Sequence, residues 1–478
     1  MRRHFAVAAV LAAGLATEGV AAAPAPGVTL PAPVRAVLER RDVPAESLSV
    51  YVADVETGEV VVDWLKDTAR NPASVLKLVT TLVALDVLGP AYRWSTDIYA
   101  LGEIDGGRLD GDLLIKGHGD PFLVTERVWQ LARGLRRVGL DTIDGDLLID
   151  DSHFELGEYD PGAFDRQPLR AYNVAPNALL MNFKVVRYWF TPEPQTGSVR
   201  IELDPPLANV AIDNRLGLRQ APCRGFQRGI AVTANEAVDR MIFSGRFPSG
   251  CERYALSRST LDHNAYAYGL FTAMWRENGG RLSGGWRPGV APEDAEPLYE
   301  FRSAPLGEAV TRVNKYSNNV MARQLLMTLS AEVLGPPGTE AGGRQVIRQW
   351  LDERGLDVDS LAIANGAGLS RAARVSAYDL VSLLEYAWRQ PYMPEYLASM
   401  ALSGLDGTLR DRLEGRGLSG KAHLKTGSLD DVAGIAGYLQ AADGRRYAVA
   451  ILSNHQDIHR GYGEEIQDAL LRWLYARR

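Results

Sequence analysis

Six apolar residues, Leu76, Leu78, Val79, Leu82, Val83 and Leu85, fall on nearly every side of a helical wheel within one short stretch. They predict a helix buried all round. Asn71 and Pro72 supply an N-cap and a first-turn proline, and Gly89-Pro90 stops the helix. Helical periodicity returns at 31–41, 126–138, 262–278, 306–330, 344–354, 377–389 and 464–478. Strands are expected at 47–54 and 59–64, and from residue 92 the texture shifts to Gly- and Asp-punctuated strands, densest over 196–260. The runs 422–427, 433–440 and 447–453 predict a closing β-meander, with Asp443-Gly444 turning its last hairpin.

One pattern repeats. Asp110-Gly111-Asp112-Leu113-Leu114-Ile115 recurs 34 residues later as Asp144-Gly145-Asp146-Leu147-Leu148-Ile149, with an amphipathic helix between the copies. That spacing predicts a strand–helix–strand unit with parallel strands. Gly117-His118-Gly119-Asp120-Pro121 follows the first copy and reads as a tight turn, since no Lys-Ser/Thr follows to make a phosphate loop.

Composition narrows the setting. The 478 residues are 46% hydrophobic and 23% charged, as in a soluble globular protein of two or three domains. A net charge of −7 without a basic block excludes nucleic acid as the expected partner. Arg2-Arg3, an apolar run from Phe5 to Leu15 and small residues up to Ala23 form a secretory signal peptide, too short to span a membrane. Export allows the only two cysteines, Cys223 and Cys251, to pair, and a bridge there is expected at the base of a hairpin of 230–233 with 240–244. The apolar face of the last helix allows at most a peripheral membrane contact; packing on the sheet is the simpler account.

The candidate chemistry begins at the buried helix. Ser74 and Lys77 are three apart, so they share a face near its positive end, where an alkoxide is favoured and an apolar setting moves the lysine towards the free amine. A Ser and a Lys three apart arise by chance about once or twice in a chain this long. Two further motifs change the weighing. Ser317-Asn318-Asn319 gives Ser-x-Asn, Lys425-Thr426-Gly427 gives Lys-Thr-Gly, and the three motifs occur once each, in that order.

This ordered set resembles the serine penicillin-recognising superfamily, and more closely its class C low-molecular-mass penicillin-binding proteins, the D-alanyl-D-alanine carboxypeptidase/endopeptidases. Gly119-Asp120-Pro121, Tyr172-Asn173-Val174-Ala175-Pro176, the run from Asn365 to Arg371 and the run from Leu402 to Thr408 extend the resemblance over almost the whole mature chain. Ser74 and Ser317 lie 243 residues apart but Ser317 and Lys425 only 108, which leaves room for an insert within the first gap. The implied fold is α+β: an antiparallel five-stranded sheet flanked by helices, interrupted by a strand-rich insert of one or two smaller domains. Residues 1–23 would be the signal peptide, 24–91 and 297–478 the two parts of the catalytic domain, and 92–296 the insert.

The resemblance also implies roles. Ser74 attacks the D-Ala–D-Ala carbonyl while Lys77 takes its proton; Ser317 relays a proton to the leaving amine; Asn319 holds the substrate amide and orients Lys77. Lys425 and Thr426 suit the terminal carboxylate, Gly427 allows close approach of substrate to strand, and the N–H groups of Ser74 and Ser428 form an oxyanion hole. The acidic residue that the family sets near the acyl side of the substrate aligns with Asn182, and Arg371 is a candidate for a substrate acid. No cofactor or metal is implied; the expected partners are peptidoglycan peptides and β-lactams, and the expected location is the periplasm or cell envelope. A β-lactamase or esterase on the same scaffold is disfavoured by the long insert, and a non-catalytic wall-binding protein by the intact motif residues. Carboxypeptidase and endopeptidase action, and the oligomeric state, both stay open.

Overall fold

The computed structural model describes residues 29–225, 229–234, 240–415 and 417–477. The expected signal peptide at 1–23 lies outside the described residues.

The two ends of the chain meet in one sheet. Its strands run in the order Ala401–Leu402, Ala422–Leu429, Val432–Gln440, Arg446–Asn454, Leu48–Asp54 and Val60–Trp64, each antiparallel to its neighbour. This is the expected meander joined to the first hairpin, with six strands because the pair Ala401-Leu402 adds to one edge. Val432–Gln440 and Arg446–Asn454 are buried on nearly every residue, and their near-continuous apolar runs suit a sheet covered on both faces. One face packs Lys77–Leu88, Leu306–Lys315, Asn319–Leu334 and Ala377–Trp388. The other face packs Ala32–Arg41 and the terminal helix Tyr462–Tyr475, whose Ile466, Leu470, Leu471 and Leu474 are buried there. No helix among the described residues is long and apolar enough to cross a membrane.

Between Ser95 and Arg302 the chain builds three further sheets around a separate core. The repeated sequence forms its parallel pair in matched register: Leu113, Leu114 and Ile115 lie against Leu147, Leu148 and Ile149. Asp112 accepts a bond from the Asp146 N–H at 2.7 Å, so the repeated aspartate closes the unit it marks. The strand Tyr299–Arg302 pairs with Ser95–Asp105, carrying this sheet past the expected boundary at 296. Gln324, on Asn319–Leu334, fastens the segment to the helical layer by exchanging bonds with the Asn177 backbone, at 2.9 Å each way.

Two local expectations are corrected. The single helix expected over 306–330 is two helices, because Ser317 takes a left-handed φ of 57° and breaks the ladder at the corner. Cys223 and Cys251 do form a disulfide, with Cα atoms 4.7 Å apart, but not at the base of the hairpin. They tie Ala211–Pro222 to Arg240–Gly250, which are parallel neighbours, while Ile230–Ala234 is the antiparallel partner.

Closing a loop with a sequence separation of 28 stabilises by about 3–4 kcal/mol in the chain-entropy account. Thiol titration of unreduced, unfolded protein should therefore find no free cysteine, and reduction should lower the unfolding midpoint. Two titratable thiols without reductant would contradict the pairing.

Candidate active site

The Ser74 segment does not enter its helix directly. Ala73–Leu76 is a 3-10 turn that passes into the helix Lys77–Leu88. Residues i and i+3 eclipse in such a turn, so Lys77 stands directly over Ser74, with Nζ and Oγ 2.9 Å apart. Asn71 caps the turn as expected in kind, but its side chain accepts from the Ala73 N–H at 2.9 Å, a bond local to the turn. Ala73 has a left-handed φ of 48°, a strain of roughly 1–3 kcal/mol that the surroundings must hold in place.

They do so by backbone contact. A Cβ at Gly427 would lie 2.5 Å from the Pro72 carbonyl oxygen and 2.9 Å from the N atoms of Ser74 and Val75. A Cβ at Gly434 would meet the same carbonyl at 3.0 Å, and one at Gly368 would meet the Ala73 carbonyl at 1.9 Å. Backbone from two strands and one loop thus closes on the turn. The space that Gly427 leaves is filled by the Ser74 turn itself, not by an approaching substrate, which corrects the role expected for it. Asn454 completes the clamp, accepting from the Asn71 N–H at 2.8 Å and donating to the Asn71 carbonyl at 3.0 Å.

Lys77 is fully buried. Its Nζ donates to Asn319 Oδ1 at 2.6 Å and to the Ala367 carbonyl at 2.5 Å. Both partners can only accept, so they take two N–H bonds and leave the third position of the nitrogen facing Ser74. A neutral amine fits this set completely: two protons bound, and a lone pair towards the Ser74 hydroxyl. Burial holds the Lys77 pKa well below its ordinary value, with the charges of Lys425 and Arg323 adding to the effect.

Ser317 stands at the corner between helices, and Asn318 caps the second helix by accepting from the Met321 N–H at 3.1 Å. Asn319 is therefore the first residue of that helix, aimed at Lys77, while the strained Ser317 faces Lys425. Lys425 Nζ donates to Ser317 Oγ at 2.9 Å and to the Thr426 carbonyl at 2.7 Å. Burial brings the Lys425 pKa down to about 7. This lysine sits behind the strand, and the hydroxyl of Thr426, bonded to Thr408 Oγ1 at 2.7 Å, stands at its exposed side. Ser428 is exposed farther along the strand.

All three motifs thus converge. Sequence reasoning missed Thr408, Asn454, Arg323 and Ala367. Thr408 and Ala367 lie in runs that carried the resemblance, yet Ala367 bonds Lys77 through its carbonyl, which no side-chain pattern reveals. Asn182 is not beside Ser74: it donates to Val185 and to Tyr266 within the middle segment. Glu158 and Asp160 instead line a cavity of about 410 Å³ with Tyr159, Phe164, Arg323 and Arg371. The Arg371 guanidinium lies 5.2 Å from the Phe164 ring centre and donates to the Asp430 carbonyl at 2.9 Å.

Comparison with known proteins gives the family. Residues 30–477 match the D-Ala-D-Ala carboxypeptidase 3 (S13) family. A D-alanyl-D-alanine carboxypeptidase of Actinomadura sp. (strain R39) is 28% identical over 437 residues, covering 88% of this chain and 80% of that protein. The D-alanyl-D-alanine carboxypeptidase DacB of Haemophilus influenzae is 24% identical over 408 residues, covering 83% of this chain and 82% of its own. The crystal structure of penicillin binding protein 4 (dacB) from Haemophilus influenzae superposes with a TM-score of 0.77 at 23% identity, covering 93% of this chain and 99% of that one.

The contact at Gly427 yields a sharp expectation. Gly427→Ala should destabilise the protein by about 1–3 kcal/mol and, by displacing Ser74, slow its acylation roughly 100-fold with little change in secondary structure. An acylation rate within twofold of the parent (an estimate set by ordinary assay scatter, about 0.4 kcal/mol) would show that the strand does not position the serine.

Proposed function

The chain belongs to the D-Ala-D-Ala carboxypeptidase 3 (S13) family and is a serine DD-carboxypeptidase of the penicillin-binding type, and from its geometry we propose which residues carry that activity. Ser74 is the nucleophile and Lys77 its base. The observation that carries this is the Lys77 bonding set, two obligate acceptors and the Ser74 hydroxyl at 2.9 Å. Attack of Oγ on the D-Ala–D-Ala carbonyl forms an ester and passes the hydroxyl proton to Lys77. Ser317, bonded to Lys425, relays a proton to the leaving amine, and water then hydrolyses the ester.

Binding follows from the motif strand. Ala401–Leu402 pairs only with Leu424 and His423, so residues 425–429 have no strand neighbour on that edge among the described residues. A substrate peptide can add there, its carbonyl oxygen between the N–H groups of Ser74 and Ser428. The hydroxyls of Thr426, Thr408 and Ser428 receive the terminal carboxylate, with the Lys425 amine behind them. Gly427 serves by admitting the Ser74 turn. On the acyl side, Glu158 and Asp160 suit a free amino group of the stem peptide, and Arg371 and Arg323 its carboxylate. A β-lactam occupies the same site by acylating Ser74; the Haemophilus influenzae penicillin binding protein 4 also has a solved complex with a β-lactam. The leader-like sequence at 1–23 and the disulfide support export to the cell envelope, where peptidoglycan is met.

A fluorescent penicillin should label the mature protein covalently, and D-Ala should be released from a pentapeptide. Ser74→Ala should abolish both, and Lys77→Ala should nearly eliminate both, because the serine then lacks a base. Labelling that survives Ser74→Ala would remove Ser74 from the mechanism.

A further inference from the structure

The turn at 117–121 and the residue Asn182 each hold an aromatic side chain in place. Asp120, 4% exposed, accepts from the Phe122 N–H at 2.8 Å and so fixes the residue that follows the turn. Asn182, Phe183 and Lys184 follow one another with left-handed φ values of 43°, 56° and 53°, and no other consecutive non-glycine residues among the described residues do so. L-residues avoid that region, so such a run persists only where its surroundings hold it. Much of the hold comes from Asn182. Its N–H donates to the Leu123 carbonyl at 2.8 Å, and its side chain donates to Tyr266 Oη at 3.1 Å. Tyr266 in turn donates to the Val185 carbonyl at 2.8 Å. A bridge between Leu123 and Met181 lays the two segments side by side, and the rings of Phe122 and Phe183 stand 6.1 Å apart, centre to centre.

This pair reaches from the middle segment to both helices that meet at Ser317. The Arg312 guanidinium lies 4.1 Å from the centre of the Phe122 ring, a cation–π contact. Arg312 is in the last turn of Leu306–Lys315, and its carbonyl accepts from the Tyr316 N–H at 3.3 Å, immediately before the corner. Phe183 packs on the cluster of Val174, Leu180 and Val320, and Val320 is 2% exposed in the first turn of Asn319–Leu334. Between those two supports Ser317 keeps its left-handed φ of 57°. Asn319 has ties of its own, to Lys77 and through the Asn318 cap. The Ser317 hydroxyl is bonded only by Lys425 among the described residues.

We infer that Phe122 and Phe183 are positioning residues for the reaction: through Arg312 and Val320 they fix the corner that presents Ser317 to the leaving group. The middle segment thus sets the proton relay without supplying a group to it. The inference rests on the relay role of Ser317 proposed above. Its consequence depends on what leaves. An amide nitrogen must gain a proton as its C–N bond breaks, whereas a thioester releases a thiolate and needs none. A displaced corner therefore slows amide cleavage and spares the thioester.

Two substrates with the same acyl half test this, a peptide ending in D-Ala–D-Ala and its thioester analogue, each read as kcat/KM. Phe122→Ala and Phe183→Ala should each lower the amide-to-thioester ratio roughly tenfold, with the thioester itself within about threefold of the parent. Phe183→Leu keeps apolar bulk against the Val320 cluster and should recover part of the ratio. Phe183→Gly eases the left-handed backbone while deleting the ring, and should lower the ratio as alanine does. Phe122→Leu removes the aromatic face from Arg312 with little loss of volume, and should lower the ratio even if a truncated variant does not fold. Ser317→Ala is the reference: it should lower the ratio by itself, and adding Phe183→Ala to it should lower the ratio no further. The positioning role is overturned if the phenylalanine variants keep the ratio within about twofold of the parent while Ser317→Ala lowers it, or if Phe183→Gly restores the parent ratio. A ratio unchanged in Ser317→Ala would instead bring down the relay reading, and the inference with it.

Discussion

The site depends on one buried nitrogen. Lys77 is buried away from the surface, so its protons go to protein acceptors, and the chain provides two that cannot donate in return. That set defines where the lone pair points. A charged Lys77 would instead donate its third N–H to Ser74 Oγ, and it would carry the penalty of burial with Lys425 and Arg323 nearby. The neutral form is favoured for the same reason that the helix around it is apolar, and on the proposed reading the core itself makes the base. Asn319 and Ala367 come from distant parts of the chain, and so the base exists only when the helical layer and the turn at 365–370 are assembled.

A second constraint holds the serine. Its turn is strained at Ala73, and three glycine positions let backbone from two strands and one loop close on it within contact distance. Side chains would be softer supports. The strand that carries Lys425 also carries Gly427, so the spacing of Lys-Thr-Gly fixes three positions together: the amine near Ser317, the hydroxyl at the cleft and the contact behind Ser74. The middle segment contributes at a distance, with Asn177 and Gly119 fastened to Gln324 and the acidic cavity wall laid beside Arg323.

Much of this was legible in the sequence where chemistry repeats a local rule. The strand period and the Asp-Gly turn marked the meander; the duplicated hexad marked its parallel pair; the ordered motifs marked the three corners of the site. What escaped depends on tertiary context. Nothing in residues 306–330 breaks helical periodicity, and only the demand that Ser317 reach Lys425 while Asn319 reaches Lys77 explains the left-handed corner. The 3-10 turn at Ala73–Leu76 is likewise set by what packs on it. The resemblance matched the family's acidic position to Asn182, whose side chain bonds within the middle segment, while Glu158 and Asp160 line the cavity with Arg323 and Arg371. The hairpin of Ile230–Ala234 with Arg240–Gly250 formed as its local pattern suggests, but the disulfide lies at the end of the parallel pair with Ala211–Pro222, which no local pattern marks.

The central claim is that Lys77 is a free amine at neutral pH, held so by burial and by its acceptors. The direct measurement is the 15N resonance of its Nζ in lysine-labelled protein, assigned by its loss in Lys77→Arg and followed across pH. The account predicts a neutral-amine shift at neutral pH that becomes an ammonium shift only on acidification, with a midpoint well below the ordinary lysine value. An ammonium resonance persisting through neutral into alkaline pH would contradict it, and would require another group to take the proton from Ser74.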